Sequence, residues 1–98
     1  MPHIYQVLIS PLDDHRAPAG PALSFETSNH DDLFTVLDKL RVKALVPDEE
    51  TPSLAVGLKL FSESLIRHRG TPPFDTLWPH MAAFIKALKA TPTAHGQD

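Results

Sequence analysis

The sequence predicts an α+β domain in which a two-stranded antiparallel ribbon precedes three main helices. The first observation behind this prediction is a change of hydrophobic period. Residues 23–27 alternate between apolar and polar side chains, as in a strand, whereas Leu33, Leu37 and Leu40 recur at helix spacing. The second is composition, because 98 residues with 42% hydrophobic and 21% charged side chains suit one globular domain.

Two strands are predicted, from about His3 to Ser10 and from Ala22 to Thr27. The connection between them, Pro11–Pro21, is rich in proline and longer than a common hairpin loop, so we expect a mobile tip. Strands that follow one another in this way most often pair antiparallel.

The ribbon is predicted to be apolar on one face and half-apolar on the other. We expect the helices to cover the first face, formed by Tyr5, Val7, Ile9, Leu23 and Phe25. The second face carries Ile4, Gln6 and Leu8. A lone two-stranded ribbon is marginally stable and has open edges, so we expect a homodimer that pairs two ribbons into a larger sheet, with these three residues at the interface.

The first helix is expected from His30 or Asp31 to Lys43. Asn29 is the predicted N-cap, and Asp32 follows in the place of a capping-box acid. Its predicted buried stripe comprises Leu33, Phe34, Leu37 and Leu40.

The second helix has two possible starts, with either Thr51 or Asp48 as the N-cap. Gly57 lies inside it, and close packing by another element would explain a glycine there. Gly70 is expected just past its end, as a helix-terminating residue. The predicted buried stripe comprises Leu54, Leu58, Phe61 and Leu65.

The final helix is expected from about Pro79 to Ala90, after a short helical turn that contains Phe74 and Trp78. Pro79 either kinks one continuous helix or begins a new one. The predicted buried residues are Met81, Phe84, Ile85 and Leu88, and core packing is the expected role of Trp78 and Phe74. We expect residues 1–90 to form the single domain and 91–98 to be a disordered tail.

Four stretches of the chain resemble a family of short bacterial proteins. They are Ser24-Phe25-Glu26, Asn29–Phe34, Val56–Phe61, and Pro73-Phe74 with Pro79. The family they resemble is domain of unknown function 3861. The resemblance implies a small bacterial cytoplasmic α+β domain, and it carries over no catalytic role because the family has no established activity.

The densest polar cluster, Asn29-His30-Asp31-Asp32, is the main candidate for chemistry. His30 and Asp31, with Glu26 nearby in sequence, could act as an acid–base pair or bind a cation or small ligand. Adjacent helical residues point about 100° apart, however, so the two aspartates would not converge. Helix capping explains the cluster more simply.

Other candidate clusters have similarly simple structural explanations. The six histidines lack metal-site spacing, although His68 and His80 could meet across two helices. Arg67 and Arg69 could hold a phosphate, but basic residues are expected at a helix C-terminus. Neither Ser62 nor its neighbour Ser64 has the sequence context of a nucleophile.

Composition narrows the function classes further. The chain has no cysteine, which excludes thiol chemistry and suits a reducing compartment. A net charge of −3 without a basic run argues against nucleic acid, and no apolar stretch is long enough to span a membrane. We therefore expect a cytoplasmic, non-enzymatic homodimerisation or protein-interaction domain without cofactor or metal. The alternative is a ligand-binding or metal-binding domain, or a minor enzyme, that uses the Asn29–Asp32 cluster.

Overall fold

The computed structural model describes residues 2–94 and has the predicted α+β order of two strands followed by three helices. The chain divides into two compact units, Met1–His30 and Asp31–Asp98. The first contains the strands and the second contains the helices. The predicted fold class is confirmed.

The first unit is an antiparallel ribbon of β1, His3–Ile9, and β2, Leu23–Asn29. The register sets His3 opposite Asn29 and Ile9 opposite Leu23. At the centre of the ribbon Gln6 faces Glu26. Within residues 2–94 this sheet has two strands, so β1 and β2 each have one edge without a neighbouring strand.

Several apolar side chains of the ribbon are exposed. Ile4 is 73% exposed and Leu8 is 66% exposed on the face predicted to be half-apolar. On the other face Ile9 and Leu23 are also more than half exposed, so the expectation that this whole face is covered is wrong at its loop end. Both faces of the ribbon therefore present apolar surface to solvent.

The connection between the strands is a hydrogen-bonded loop. The Asp13 carboxylate accepts from the backbone N–H groups of His15 and Ala17, at 2.8 and 3.1 Å. A bridge between Leu12 and Pro18 continues the ribbon beyond β1. An aspartate side chain that accepts hydrogen bonds from nearby backbone N–H groups stabilises a turn.

The first helix, α1, spans Leu33–Lys43 and starts later than the sequence predicts. Asn29 is the last residue of β2 and is buried, so its predicted role as the N-cap is wrong. Asp32 is the N-cap instead, and its Oδ1 accepts from the N–H of Phe34 at 3.0 Å. A carboxylate at the N-cap also complements the positive end of the helix dipole.

The second helix, α2, spans Thr51–Arg67 and follows a 3₁₀ turn at Asp48–Glu50. Its N-cap is Glu50, so both predicted starts were close but wrong. Apart from its chain neighbours and the adjacent backbone of α2, no heavy atom lies within 4 Å of a Cβ built on Gly57, which refutes the expectation of close packing by another element. Gly70 does not adopt the left-handed conformation; Ala44, the C-cap of α1, does so with φ 50°.

The third helix, α3, spans Phe74–Ala90 without interruption and contains Pro79 in its second turn. The predicted short turn and final helix are therefore one element. Its start follows a cis peptide bond between Pro72 and Pro73. Beyond its end, the N–H of Ala94 donates to the carbonyl of Val42 at 2.8 Å. The predicted disorder of 91–98 stays a prediction, and residues 95–98 lie outside the described part.

The core of the helical unit is small and partly polar. Its buried apolar residues are Leu40 of α1 and Ala55 and Leu65 of α2. Two polar residues of α2, Thr51 and Ser62, are buried as well. The Ser62 hydroxyl donates to the carbonyl of Lys59 at 3.4 Å. The expected burial of three aromatic residues is wrong, since they are 45–69% exposed: Phe34, Phe61 and Phe84.

Candidate functional site

The three residues proposed from sequence as a binding site fall in two different units. Glu26 lies on β2 opposite Gln6, and it is exposed. His30 is exposed and follows β2 directly. Asp31 belongs to the helical unit, immediately before the N-cap of α1.

The Asp31 carboxylate forms an ion pair with Lys59 of α2. Its Oδ2 lies 2.5 Å from the Lys59 Nζ. The Lys59 side chain is 14% exposed and that of Asp31 is 39% exposed, so the pair is partly withdrawn from water. A carboxylate held this way links the start of α1 to the middle of α2, which sequence spacing alone did not indicate.

Within residues 2–94, no group of three or more His, Asp or Glu side chains is placed to hold a metal ion. The proposal of a metal at the Asn29–Asp32 cluster therefore gains no support from the geometry. The expected lack of a metal or cofactor stays a prediction.

The Asp31–Lys59 pair lies at the wall of a cleft of about 380 Å³ in the helical unit. Residues from all three helices line this cleft, which we call the lysine cleft. Its apolar residues are Val36, Leu40, Leu58, Ile85 and Leu88, and its charged residues are Asp31, Lys39, Lys43, Lys59 and Lys89. Four lysines and one aspartate thus line the cleft together with five aliphatic residues.

Lys43, one of the residues that line the lysine cleft, forms hydrogen bonds to the end of α3. Its ammonium donates to the carbonyl of Lys89 at 3.4 Å and to the carbonyl of Thr91. Carbonyl groups at a helix C-terminus have no partner within the helix and attract cations. Lys43 therefore ties the last turn of α1 to the last turn of α3.

Lys39 and Lys89 are the exposed lysines of the cleft. Lys39 lies one helical turn before Lys43, an i,i+4 pair of like charges that disfavours the helix slightly. Within the described part of the chain, no carboxylate is paired with either Lys39 or Lys89. Their positive charges are thus available to an anion in the cleft.

The sequence alone does not indicate that these lysines converge on one cleft. The i,i+4 spacing of Lys39 and Lys43 was a usable signal, because such residues share one helix face. The positions of Lys59 and Lys89 beside them depend on how α2 and α3 pack against α1, which local spacing does not specify.

A second cavity, of about 320 Å³, is lined by uncharged residues. They are Leu45, Val46, Leu54, Phe84, Ala87, Leu88 and Thr91. Leu88 borders both cavities. The first cavity has charged residues in its lining, whereas the second has none.

The basic end of α2 is engaged within the helical unit. Arg67 pairs with Glu63 at 3.7 Å, and the Arg69 guanidinium lies 5.9 Å from the ring centre of Trp78. The ring of His68 lies 5.6 Å from that of Phe74. These contacts account for the Arg67-His68-Arg69 sequence as a local packing arrangement.

The architecture defines a class of small α+β domains in which a two-stranded ribbon is followed by a three-helix unit with a charged cleft. No helix among residues 2–94 is long and apolar enough to cross a membrane.

A family model described as "Domain of Unknown Function with solved-structure structure (DUF3861)" matches residues 3–90. The chain belongs to this family, and the resemblance predicted from its motifs is confirmed.

A solved relative supports both the fold and the family. The chain is similar to a protein of unknown function from Pectobacterium atrosepticum, whose crystal structure was determined at 2.20 Å resolution. The TM-score is 0.78 and the sequence identity is 38%, over 91% of this chain and 98% of the other. No curated protein matches the sequence.

Proposed function

We propose that this member of an uncharacterised family is a non-enzymatic interaction module that forms a homodimer through its ribbon. The observation that carries the proposal is the exposure of Ile4 and Leu8, at 73% and 66%, on a sheet of two strands. A two-stranded ribbon alone is marginally stable, and it is stabilised by further strands with an apolar face or by packing against a helix. A second copy of the same ribbon supplies the missing strands.

The sequence of β1 favours pairing with itself. An isologous dimer places the same residues on both sides of a two-fold axis. If the axis passes through Gln6, antiparallel pairing sets Ile4 opposite the partner's Leu8 on one face. The same register sets Tyr5 opposite the partner's Val7 on the other face. Both faces of the joined sheet then gain apolar cross-strand pairs, each of which stabilises by about 0.2–1 kcal/mol.

The edge of β2 is a poorer candidate for the same contact. Glu26 occupies the centre of β2, as Gln6 does in β1. Self-pairing about that centre would set two carboxylates directly opposite each other, which is unfavourable. We therefore assign the dimer contact to β1, with Ile4, Gln6 and Leu8 at its centre.

The ion pair between Asp31 and Lys59 supports the proposal that the protein is not an enzyme. Asp31 is one of the residues proposed from sequence for acid–base chemistry, together with His30 and Glu26, and its carboxylate is paired with Lys59. A bacterial cytoplasmic location is also proposed, because the sequence has no cysteine and the crystallised relative comes from a bacterium.

Sedimentation equilibrium between 1 and 100 µM tests the proposal. We expect the mass of a dimer for the native chain and of a monomer for Leu8→Lys, because the lysine replaces the apolar residue that faces the partner's Ile4, and it does so on both sides of the axis. Leu12→Lys is the matched control, since Leu12 is a similarly exposed leucine outside the named strands. A native chain that sediments as a monomer at 100 µM refutes the proposal, as does a Leu8→Lys variant that remains a dimer.

A further inference from the structure

We propose that the lysine cleft binds a small amphipathic organic anion, with its acidic group beside the lysines and its apolar part against the aliphatic residues of the cleft. This function is independent of the ribbon contact, because every residue that lines the cleft belongs to the helical unit. Three observations support this proposal: the positive charge of the cleft, the absence of ion-pair partners for two of its four lysines among the described residues, and the aliphatic lining and volume of the cleft.

The local charge of the cleft is opposite to that of the protein. The chain has a formal net charge of −3, whereas four lysines and one aspartate leave three positive charges in excess around the cleft. Like charges gathered beside low-dielectric walls raise the local concentration of counter-ions. An anion is therefore the complementary ligand.

The four lysines divide into two that are held and two that are available. Lys59 is neutralised by Asp31, and Lys43 donates to two carbonyl groups at the end of α3. Lys39 and Lys89 are exposed residues of the cleft lining, with no ion pair among the described residues. We assign the direct contact with the acidic group to these two.

The aliphatic residues that line the cleft and the volume of the cleft indicate that the ligand is organic rather than a simple inorganic ion. Five aliphatic residues line it, and Leu40 among them is buried. Its volume of about 380 Å³ lies within the range of small-molecule pockets, about 300–1,000 Å³. Lysine ammonium groups act as point charges without a planar fork, so carboxylate, sulfonate and phosphate groups all meet the requirement.

Fluorescence titration with two probes tests this assignment. The anionic probe is 8-anilinonaphthalene-1-sulfonate, and the uncharged probe of similar shape is N-phenyl-1-naphthylamine. For the double variant Lys39→Gln with Lys89→Gln, we expect the Kd of the sulfonate to rise at least tenfold and that of the uncharged probe to stay within twofold. The double variant Lys39→Arg with Lys89→Arg keeps the charge and should retain sulfonate binding.

A control of equal charge separates the cleft from general electrostatics. Arg16→Gln with Lys86→Gln removes two positive charges from exposed positions outside the cleft, and we expect an unchanged Kd for the sulfonate. Equal weakening in this control overturns the assignment. So does a sulfonate Kd that is unaffected by Lys39→Gln with Lys89→Gln.

The ribbon also exposes apolar side chains, so the Leu8→Lys variant is titrated in parallel. Retained sulfonate affinity in Leu8→Lys supports a site in the cleft whether or not that variant is monomeric. Loss of affinity in Leu8→Lys would place the probe on the ribbon and overturn the cleft assignment. Sedimentation equilibrium thus tests the ribbon dimer, and fluorescence titration separately tests the lysine cleft.

Discussion

Replacement of Gly57 by alanine should stabilise the protein. Gly57 lies in the first half of α2, it is exposed, and its backbone is not in a conformation that requires glycine. An added Cβ would meet no heavy atom within 4 Å, so the substitution carries no packing penalty. The gain is then the difference in helix propensity between the two residues, about 0.8–1.0 kcal/mol.

That gain can be measured by thermal unfolding followed by far-ultraviolet circular dichroism at a fixed protein concentration. For a domain of this size it corresponds to a rise in Tm of about 3–8 °C. Gly20→Ala is a control of opposite sign, because Gly20 has φ 150°, a backbone conformation that residues with a Cβ rarely adopt. If Gly57→Ala lowers Tm, the space beside Gly57 is occupied in solution and the reasoning fails.

Two further perturbations test the core and the helix cap by urea unfolding. Leu65→Ala should cost about 2–5 kcal/mol because Leu65 is 0% exposed, whereas Phe34→Ala should change stability by less than about 0.5 kcal/mol because Phe34 is 69% exposed. Equal losses would show that Phe34 is covered in solution. Asp32→Ala should cost about 0.5–2 kcal/mol through loss of the N-cap hydrogen bond to Phe34, and Asp32→Asn should recover most of that stability. A neutral Asp32→Ala result would remove Asp32 from the cap.

Local patterns predicted the order of elements because they depend on spacing alone. The change of period after β2 correctly placed the start of the helical segment within a few residues. The prediction of Asn29 as the N-cap, with Asp32 as the capping-box acid, is wrong because Asp32 is the N-cap, and both residue types favour that position. What separates them is that Asn29 pairs with His3 in the ribbon, a contact between residues far apart in sequence.

Side-chain burial was predicted less well than secondary structure. Phe34 and Phe61 fit the apolar stripe of their helices but are exposed, whereas Ser62 is buried. A stripe indicates which face of a helix is apolar, but the crossing positions of the helices decide which of its residues are covered. The lysine cleft escaped prediction for the same reason, because its charged groups come from three helices.

The hydrogen bond from Ala94 to Val42 has a practical consequence for protein engineering. It anchors the chain after α3 onto the last turn of α1, close to Lys43 and on the same helix. A group attached to the chain just after α3 is therefore held beside Val42, which is adjacent in sequence to Lys43 of the cleft. An acidic tag placed there would compete for the lysines of the cleft, so ligand measurements require a protein without an acidic tag after α3.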